Sequence, residues 1–255
     1  MLLRTLAAIL ALASQTPAPD DAEFQKLVAR VRQAALTYSD RLQNFTCTQT
    51  TTRSLGPSPD GTKWKPLETQ EFELNYVDHR EHYKLVKVNG EATNPEKLVK
   101  AGHFKGYGQF GSALQNIFHP AVEATFEWDH RETGAGGETC VFRYRVAQPN
   151  SRAVMTADYD KVKLGHHGMI WANCDSGEVV RFQTVTDLGE VHRSGRRVPI
   201  GYRLEVRYGV TNIGERQFLL PQTAVDAGLF YKTWTKEEMQ FTNYRKFDAS
   251  STILY

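Results

Sequence analysis

The sequence predicts an α+β protein in which a curved, largely antiparallel β-sheet packs around an N-terminal amphipathic helix. Three observations lead there. Apolar residues recur with a 3.6-residue period in one long stretch near the N terminus. Beyond Asn44, apolar and polar residues alternate in about ten short runs. The connections between those runs are short and rich in Gly, Asn, Asp and Pro, without a βαβ rhythm.

Composition narrows the function classes. The 255 residues are 40% hydrophobic and 24% charged, enough for a core and a well-charged exterior, which excludes a wholly disordered chain. The 31 Lys and Arg against 29 Asp and Glu leave a net charge of only +2. A dedicated nucleic-acid binder needs more positive charge, or a concentrated patch of it. Arg193, Arg196 and Arg197 with His192 form a local cluster, but no aromatic residues interleave with it as a stacking platform requires. The cluster reads as a solvated loop, and no nucleic-acid partner is expected.

The amino terminus reads as a secretory signal peptide. Arg4 supplies positive charge, Leu6 to Ala13 is apolar, and Ala11-Leu12-Ala13 offers small residues at a cleavage site. Residues 1–13 are therefore expected to be removed, and the product to be periplasmic or secreted. The run is too short for a bilayer, which takes about 20 apolar residues. No later run is longer, so no transmembrane segment is expected. Residues 14–20, with Thr16-Pro17-Ala18-Pro19, form an exposed spacer, and 21–255 a single domain.

Asp20 opens the helix, and Glu23 three residues on completes a capping box. Phe24, Leu27, Val28, Val31, Ala34, Ala35, Tyr38 and Leu42 fall on one stripe that needs a partner surface. Phe45 to Arg53 is rich in β-branched residues and reads as the first strand. Phe72, Leu74 and Tyr76 give a strand with one dry face. Asp78-His79-Arg80 turns it back into Tyr83 to Val88, closed by the tight-turn dipeptide Asn89-Gly90. The stretch 94–119 interrupts the strands as a helical flap: glycines from Gly102 to Gly111 alternate with aromatics, and Ser112 to Phe118 reads as a short helix stopped before Pro120. The glycine spacing does not suit a nucleotide-binding loop. Strands then follow over Val122 to Trp128, Cys140 to Val146, Met169 to Ala172, Val179 to Val185, Tyr202 to Val210, Phe218 to Pro221, Leu229 to Trp234, Met239 to Phe247 and Thr252 to Tyr255.

Several segments carry a family resemblance. Leu42-Gln43-Asn44-Phe45-Thr46-Cys47-Thr48-Gln49, Phe110-Gly111-Ser112-Ala113-Leu114, Phe218-Leu219-Leu220-Pro221 and Phe241 to Phe247 resemble motifs of an uncharacterised family of secreted acidobacterial proteins. Those motifs carry no established chemistry. More distantly, the helix followed by a continuous antiparallel sheet resembles the periplasmic lipoprotein-carrier superfamily of LolA, LolB and LppX types. That resemblance implies an unclosed barrel around helices, with an apolar cavity for acyl chains. It rests on architecture and export, and fold alone does not assign function. No cysteine follows the cleavage region to accept a lipid.

Catalytic chemistry is not indicated. There is no GxSxG, HExxH or CxxC, and nothing near Cys47 lowers a thiol pKa. Glu123, Glu127 and Asp129 read as a solvated sheet face. His79 and His82, beside Asp78 and Glu81, read as a solvated turn, and His166-His167 diverge if they lie in a strand. No metal site and no cofactor are expected. Three cysteines leave one unpaired in a monomer; Cys140 and Cys174 are the best candidates for a disulfide, with three buried thiols as the competing reading. The function expected is noncatalytic binding or carriage of an apolar or lipid-like ligand, with Phe142, Tyr144, Trp171, Phe182 and Tyr202 lining the site. The alternative is an envelope scaffolding or protein-interaction module with a filled core, its partner another envelope protein. Alternation alone leaves both open, because the same aromatics suit a packed interior.

Overall fold

The computed structural model describes residues 18–93, 109–134, 136–157, 160–193, 195–230 and 232–247. The signal-like segment, the glycine-rich residues 94–108 and the expected strand at Thr252 to Tyr255 lie outside them.

Helix α1 (Asp21–Leu36) begins where the capping box starts it: the Asp20 carboxylate accepts from the Glu23 amide, and the Glu23 side chain accepts from the Asp20 amide. Its buried residues are Phe24, Leu27, Val28, Val31 and Ala35, all on the apolar stripe. Phe24 meets Trp128 and Phe142 edge-on, with ring centroids 6.0 and 5.9 Å apart. Tyr38 meets Tyr208 at 5.6 Å, and its hydroxyl donates to the Leu219 carbonyl at 2.9 Å. A second helix, α2 (Ser112–Phe118), buries Leu114, Ile117 and Phe118, and the Gln115 amide donates to the Leu36 carbonyl at the end of α1.

The strands are β1 (Phe45–Gly56), β2 (Lys65–Val77), β3 (Arg80–Val88), β4 (Glu91–Ala92), β5 (Thr125–Gly134), β6 (Gly137–Val146), β7 (Val154–Ala157), β8 (Asp160–Lys163), β9 (His166–Asn173), β10 (Val179–Thr186), β11 (Gly189–Arg193), β12 (Arg196–Ile213), β13 (Arg216–Phe230) and β14 (Thr233–Lys246). Twelve form one sheet in the order β4-β3-β2-β1-β14-β13-β12-β10-β9-β6-β5, with β11 beside β12 and the β7–β8 hairpin separate. The paired strands run antiparallel, and β4 and β5 do not meet, so the sheet is open. Its inner face holds both helices and the main core, from Phe45, Cys47 and Leu74 through Phe142, Ile170, Phe182 and Val206 to Met239 and Phe241.

The turns follow local chemistry. Asn89 and Gly90 both adopt positive φ, 51° and 82°, as a two-residue hairpin turn demands. Gly177, with φ of 74°, lets the β9–β10 turn press against α1; a Cβ there would lie 2.8 Å from the Arg30 Cγ. Cys140 and Cys174 form a disulfide with Cα atoms 5.1 Å apart, and Cys47 is a buried free thiol. Burial pushes that thiol up to about 12, well out of the nucleophilic range.

Three sequence expectations change in detail. The strand placed from Val122 begins only at Thr125, because Pro120–Val122 forms a 3₁₀ turn capped by the His119 ring and followed by a left-handed Glu123. Leu229 to Trp234 is not one strand: the chain reverses between Phe230 and Thr233, which pair across the β13–β14 hairpin. The arginines at 193–197 are not an open loop but the tip of the β11–β12 hairpin, turned at Gly195 with φ of 74°.

Candidate functional site

The five aromatics expected to line a site do not share one surface. Phe142 and Phe182 have no exposed area and sit in the main core. Tyr144 is buried beside them, its hydroxyl 2.7 Å from the Thr184 Oγ1 and 3.4 Å from the His166 Nδ1. Trp171 points the other way. In β9, Ile170 and Ala172 face the core, so Trp171 lies on the outer face opposite Val141. There the Arg181 guanidinium stacks 4.0 Å from its ring, and its indole N–H donates to Glu132. Tyr202 is on the inner face, partly buried, at the margin of the main core.

Tyr202 marks a polar region of the inner face that sequence reading missed. In β1, Cys47, Gln49, Thr51 and Arg53 face inward by alternation, and the register sets them opposite Leu74, Phe72, Gln70 and Glu68 of β2. In β14, Phe241, Met239 and Glu237 share that face. Met239 and Glu237 lie opposite Ala224 and Asp226 of β13, which lie opposite Val206 and Leu204 of β12. Two residues beyond Leu204 comes Tyr202. The polar set therefore starts about 13 Å along β14 from Phe241, the residue packed on Phe110 near the helices.

Its geometry is built around one guanidinium. Arg53 donates from Nη1 to the Glu68 Oε1 at 2.6 Å and from Nε to the Glu237 Oε1 at 3.0 Å. Gln70 donates to the same Glu68 oxygen at 2.8 Å. Asp226 is only 1% exposed, yet neither of its carboxylate oxygens has a hydrogen-bond partner among the described residues. Burial holds its carboxyl well above the usual carboxylate range; Glu237 adds to the rise and Arg53 opposes it. Burial also raises Glu237, against the pull of Arg53. Burial first, then Asp226 and Glu237, push the Tyr202 phenol up, which ties that ring to the same set. Gln109, fully buried, donates from its amide to the Met239 Sδ at 3.7 Å, while its own oxygen has no partner. Buried polar atoms are nearly always satisfied, so unpaired acceptors on one face of a sheet are chemically conspicuous.

The sequence did carry one signal for this region. Asp226 stands in Ala224-Val225-Asp226-Ala227-Gly228-Leu229, a lone carboxylate among apolar and small residues on both faces of the strand. Glu237 gave none, since Lys236-Glu237-Glu238 reads as a solvated run.

A concavity of about 510 Å³ opens elsewhere, between the β2–β3 turn and the start of α2. Tyr76, Phe110, Ser39, His79, Glu81 and Gln115 line it. His79 and His82 both border it, and the His79 ring lies 3.1 Å from the Ser39 carbonyl. The two histidines of the other pair separate: His166 faces inward and is buried, while His167 faces Asp187 outside at 3.6 Å. Among the described residues, no group of three His, Cys, Asp or Glu side chains is arranged to hold a metal ion. No described helix is long and apolar enough to cross a membrane.

No protein-family model matches the sequence, and no curated protein matches it. Solved structures do. A domain assigned as an outer membrane lipoprotein-sorting protein from Vibrio parahaemolyticus is 11% identical, with a TM-score of 0.36 over 91% of this chain and 95% of that one. A DUF1329 family protein from Desulfovibrio piger is 9% identical, with a TM-score of 0.37 over 92% of this chain and 96% of that one. A LolA superfamily protein from Nitrosomonas europaea is 10% identical, with a TM-score of 0.34 over 88% of this chain and 93% of that one. The likeness is distant and assigns no role to any residue.

Proposed function

We propose that the protein is an exported, noncatalytic binding protein that holds an apolar-tailed ligand against the inner face of its open sheet. The observation that carries this reading is the polar end of that face. A sheet that serves only as a scaffold gains nothing from a buried carboxylate with no partner, because leaving such a group unpaired costs about 1–3 kcal/mol. A binding site retains such groups to orient what it binds. Beside Asp226, Leu204, Ala224 and Met239 supply the apolar wall, and Tyr202 offers an aromatic face. The Cys140–Cys174 disulfide supports export, since such bonds persist in oxidising compartments.

Phe142, Tyr144 and Phe182 then serve as the packed floor beneath α1, and Tyr202 is the member of the expected set nearest the bound ligand. Trp171 on the outer face takes no part in the site. Titrating the purified protein with an environment-sensitive fluorescent fatty alcohol tests the reading. Saturable one-to-one binding, unchanged by Trp171→Ala and competed by dodecanol, is expected. Absence of saturable binding would move the assignment to the envelope-scaffolding module, for which the fully packed helix end of the core is already suited.

A further inference from the structure

We propose that the ligand carries an ammonium headgroup, and that Asp226 is its anchor. The inference rests on the binding-protein reading and adds the chemistry of the headgroup. It starts from which groups on the inner face lack partners. Arg53, the cation of the polar set, is already bonded to Glu68 and Glu237. Asp226, opposite Glu237 in the β13–β14 register, keeps both oxygens unpaired at 1% exposure. Independently, the Gln109 amide oxygen is unpaired on a side chain with no exposed area. Its Nε2 lies 3.7 Å from the Met239 Sδ, and Met239 is diagonal to Asp226 across the same strand pair, about 7–8 Å away at Cα. These unpaired atoms, with the Gln49 Oε1 on the same face, are acceptors once the Asp226 carboxyl gives up its proton. A primary ammonium brings three donors and the opposite charge, and accepts nothing.

Competing headgroups fit less well. A carboxylate or phosphate could accept only the single proton that the Asp226 carboxyl holds, and otherwise offers acceptors to acceptors. A neutral hydroxyl brings one donor and leaves the other acceptors unpaired. A divalent metal wants several ligands converging, and the described residues present no such group. Leu204, Ala224 and Met239, buried apolar neighbours on the same face, are the side chains an alkyl tail would pack against, so an amphiphile is favoured over a small free amine.

The ionisation of Asp226 supports the same assignment. Its carboxyl holds its proton because of burial and of Glu237. An arriving ammonium supplies the charge that lets the carboxyl ionise, so a proton is released on binding. Affinity should therefore rise with pH through the range in which Asp226 ionises. The other charged or titratable groups facing it are Glu237 from β14, Arg53 from β1, Glu68 from β2 and Tyr202 from β12.

Calorimetric titration of the intact protein with dodecylamine, dodecanol, dodecanoate and butylamine, each below its micelle concentration, tests the proposal. Dodecylamine should bind one-to-one and at least about tenfold more tightly than dodecanoate, the scale of one charge-assisted hydrogen bond. Asp226→Asn should weaken dodecylamine by about tenfold or more, a larger loss than the same variant shows for dodecanol. Asp226→Leu, which removes the polar group altogether, should do the same, with circular dichroism confirming that both variants fold. If both variants bind dodecylamine as the parent does while dodecanol still saturates, the headgroup assignment is wrong and the binding-protein reading stands. Equal affinity for butylamine and dodecylamine would overturn the amphiphile. If no amphiphile saturates, the binding-protein reading fails, and the headgroup assignment with it.

Discussion

Asp226 is a buried carboxyl with no hydrogen-bond partner among the described residues. Its carboxyl is raised in the folded protein by burial and then by Glu237, so the folded state holds a proton that the unfolded chain releases near its ordinary value. Stability from this group is therefore fully present below the unfolded pKa and is lost as pH rises through the folded one. Asp226→Leu should stabilise the protein by about 1–3 kcal/mol at neutral pH. The gain should shrink toward the ordinary aspartate range, as urea unfolding at the two pH values would show. His166 behaves in the opposite sense. Burial is the main cause that lowers it to about 4, so its contribution is present above the unfolded value of about 6.5 and is lost as pH falls toward the folded one. His166→Gln should flatten that acid limb, worth about 3 kcal/mol at most. The lone carboxylate in an apolar stretch hinted at Asp226, but neither environment could be derived from the sequence. His166-His167 gives no sign of which ring turns inward, and the Asp226 carboxylate owes its isolation to strands β12 and β14, remote along the chain.

Elements were far more legible than sites, because their causes are local. The capping box at Asp20 and the stripe from Phe24 to Ala35 specify α1 within one stretch of chain, although the expected period runs on to Tyr38 and Leu42, past the helix end at Leu36; alternation specifies the inner face of β6 and β12. What alternation leaves open is where a strand stops. Leu229 to Trp234 contains Lys232 and Thr233 but no Gly, Pro, Asn or Asp, so no turn-forming residue marks the reversal between Phe230 and Thr233. Pro120 and the His119 cap likewise delay β5 at a place where period-2 patterning runs on unbroken. Leu27 is 5% exposed beneath the sheet, so Leu27→Ala should cost about 2–5 kcal/mol in denaturant unfolding, from lost transfer free energy and the cavity left behind. The antiparallel pairing of β6 with β9 sets Cys140 opposite Ala172, two residues from Cys174. The bond closes a loop of sequence separation 34. Replacing both cysteines by serine should cost up to about 4 kcal/mol. Thiol titration of the denatured, unreduced parent should find Cys47 alone.

At the scale of the whole molecule, one face of an open sheet does two jobs. Where α1 and α2 lie on it, aromatic rings fill the interior: Phe24 on Phe142, Tyr38 on Tyr208, Phe110 on Phe45 and Phe241. Further along β1, β13 and β14 the same face turns polar, with Arg53 held between Glu68 and Glu237 and with Asp226 unpaired. The filled end stabilises the molecule, and the polar end is where we propose that it holds a ligand. The most direct test of that division is photo-crosslinking with a diazirine-bearing long-chain alkylamine, followed by peptide mapping of the adducts. Labelling should saturate with one probe per chain and fall on the inner-face residues Tyr202, Leu204, Ala224 and Met239. Adducts confined to the outer face around Trp171 and Arg181, or labelling that never saturates, would contradict the account.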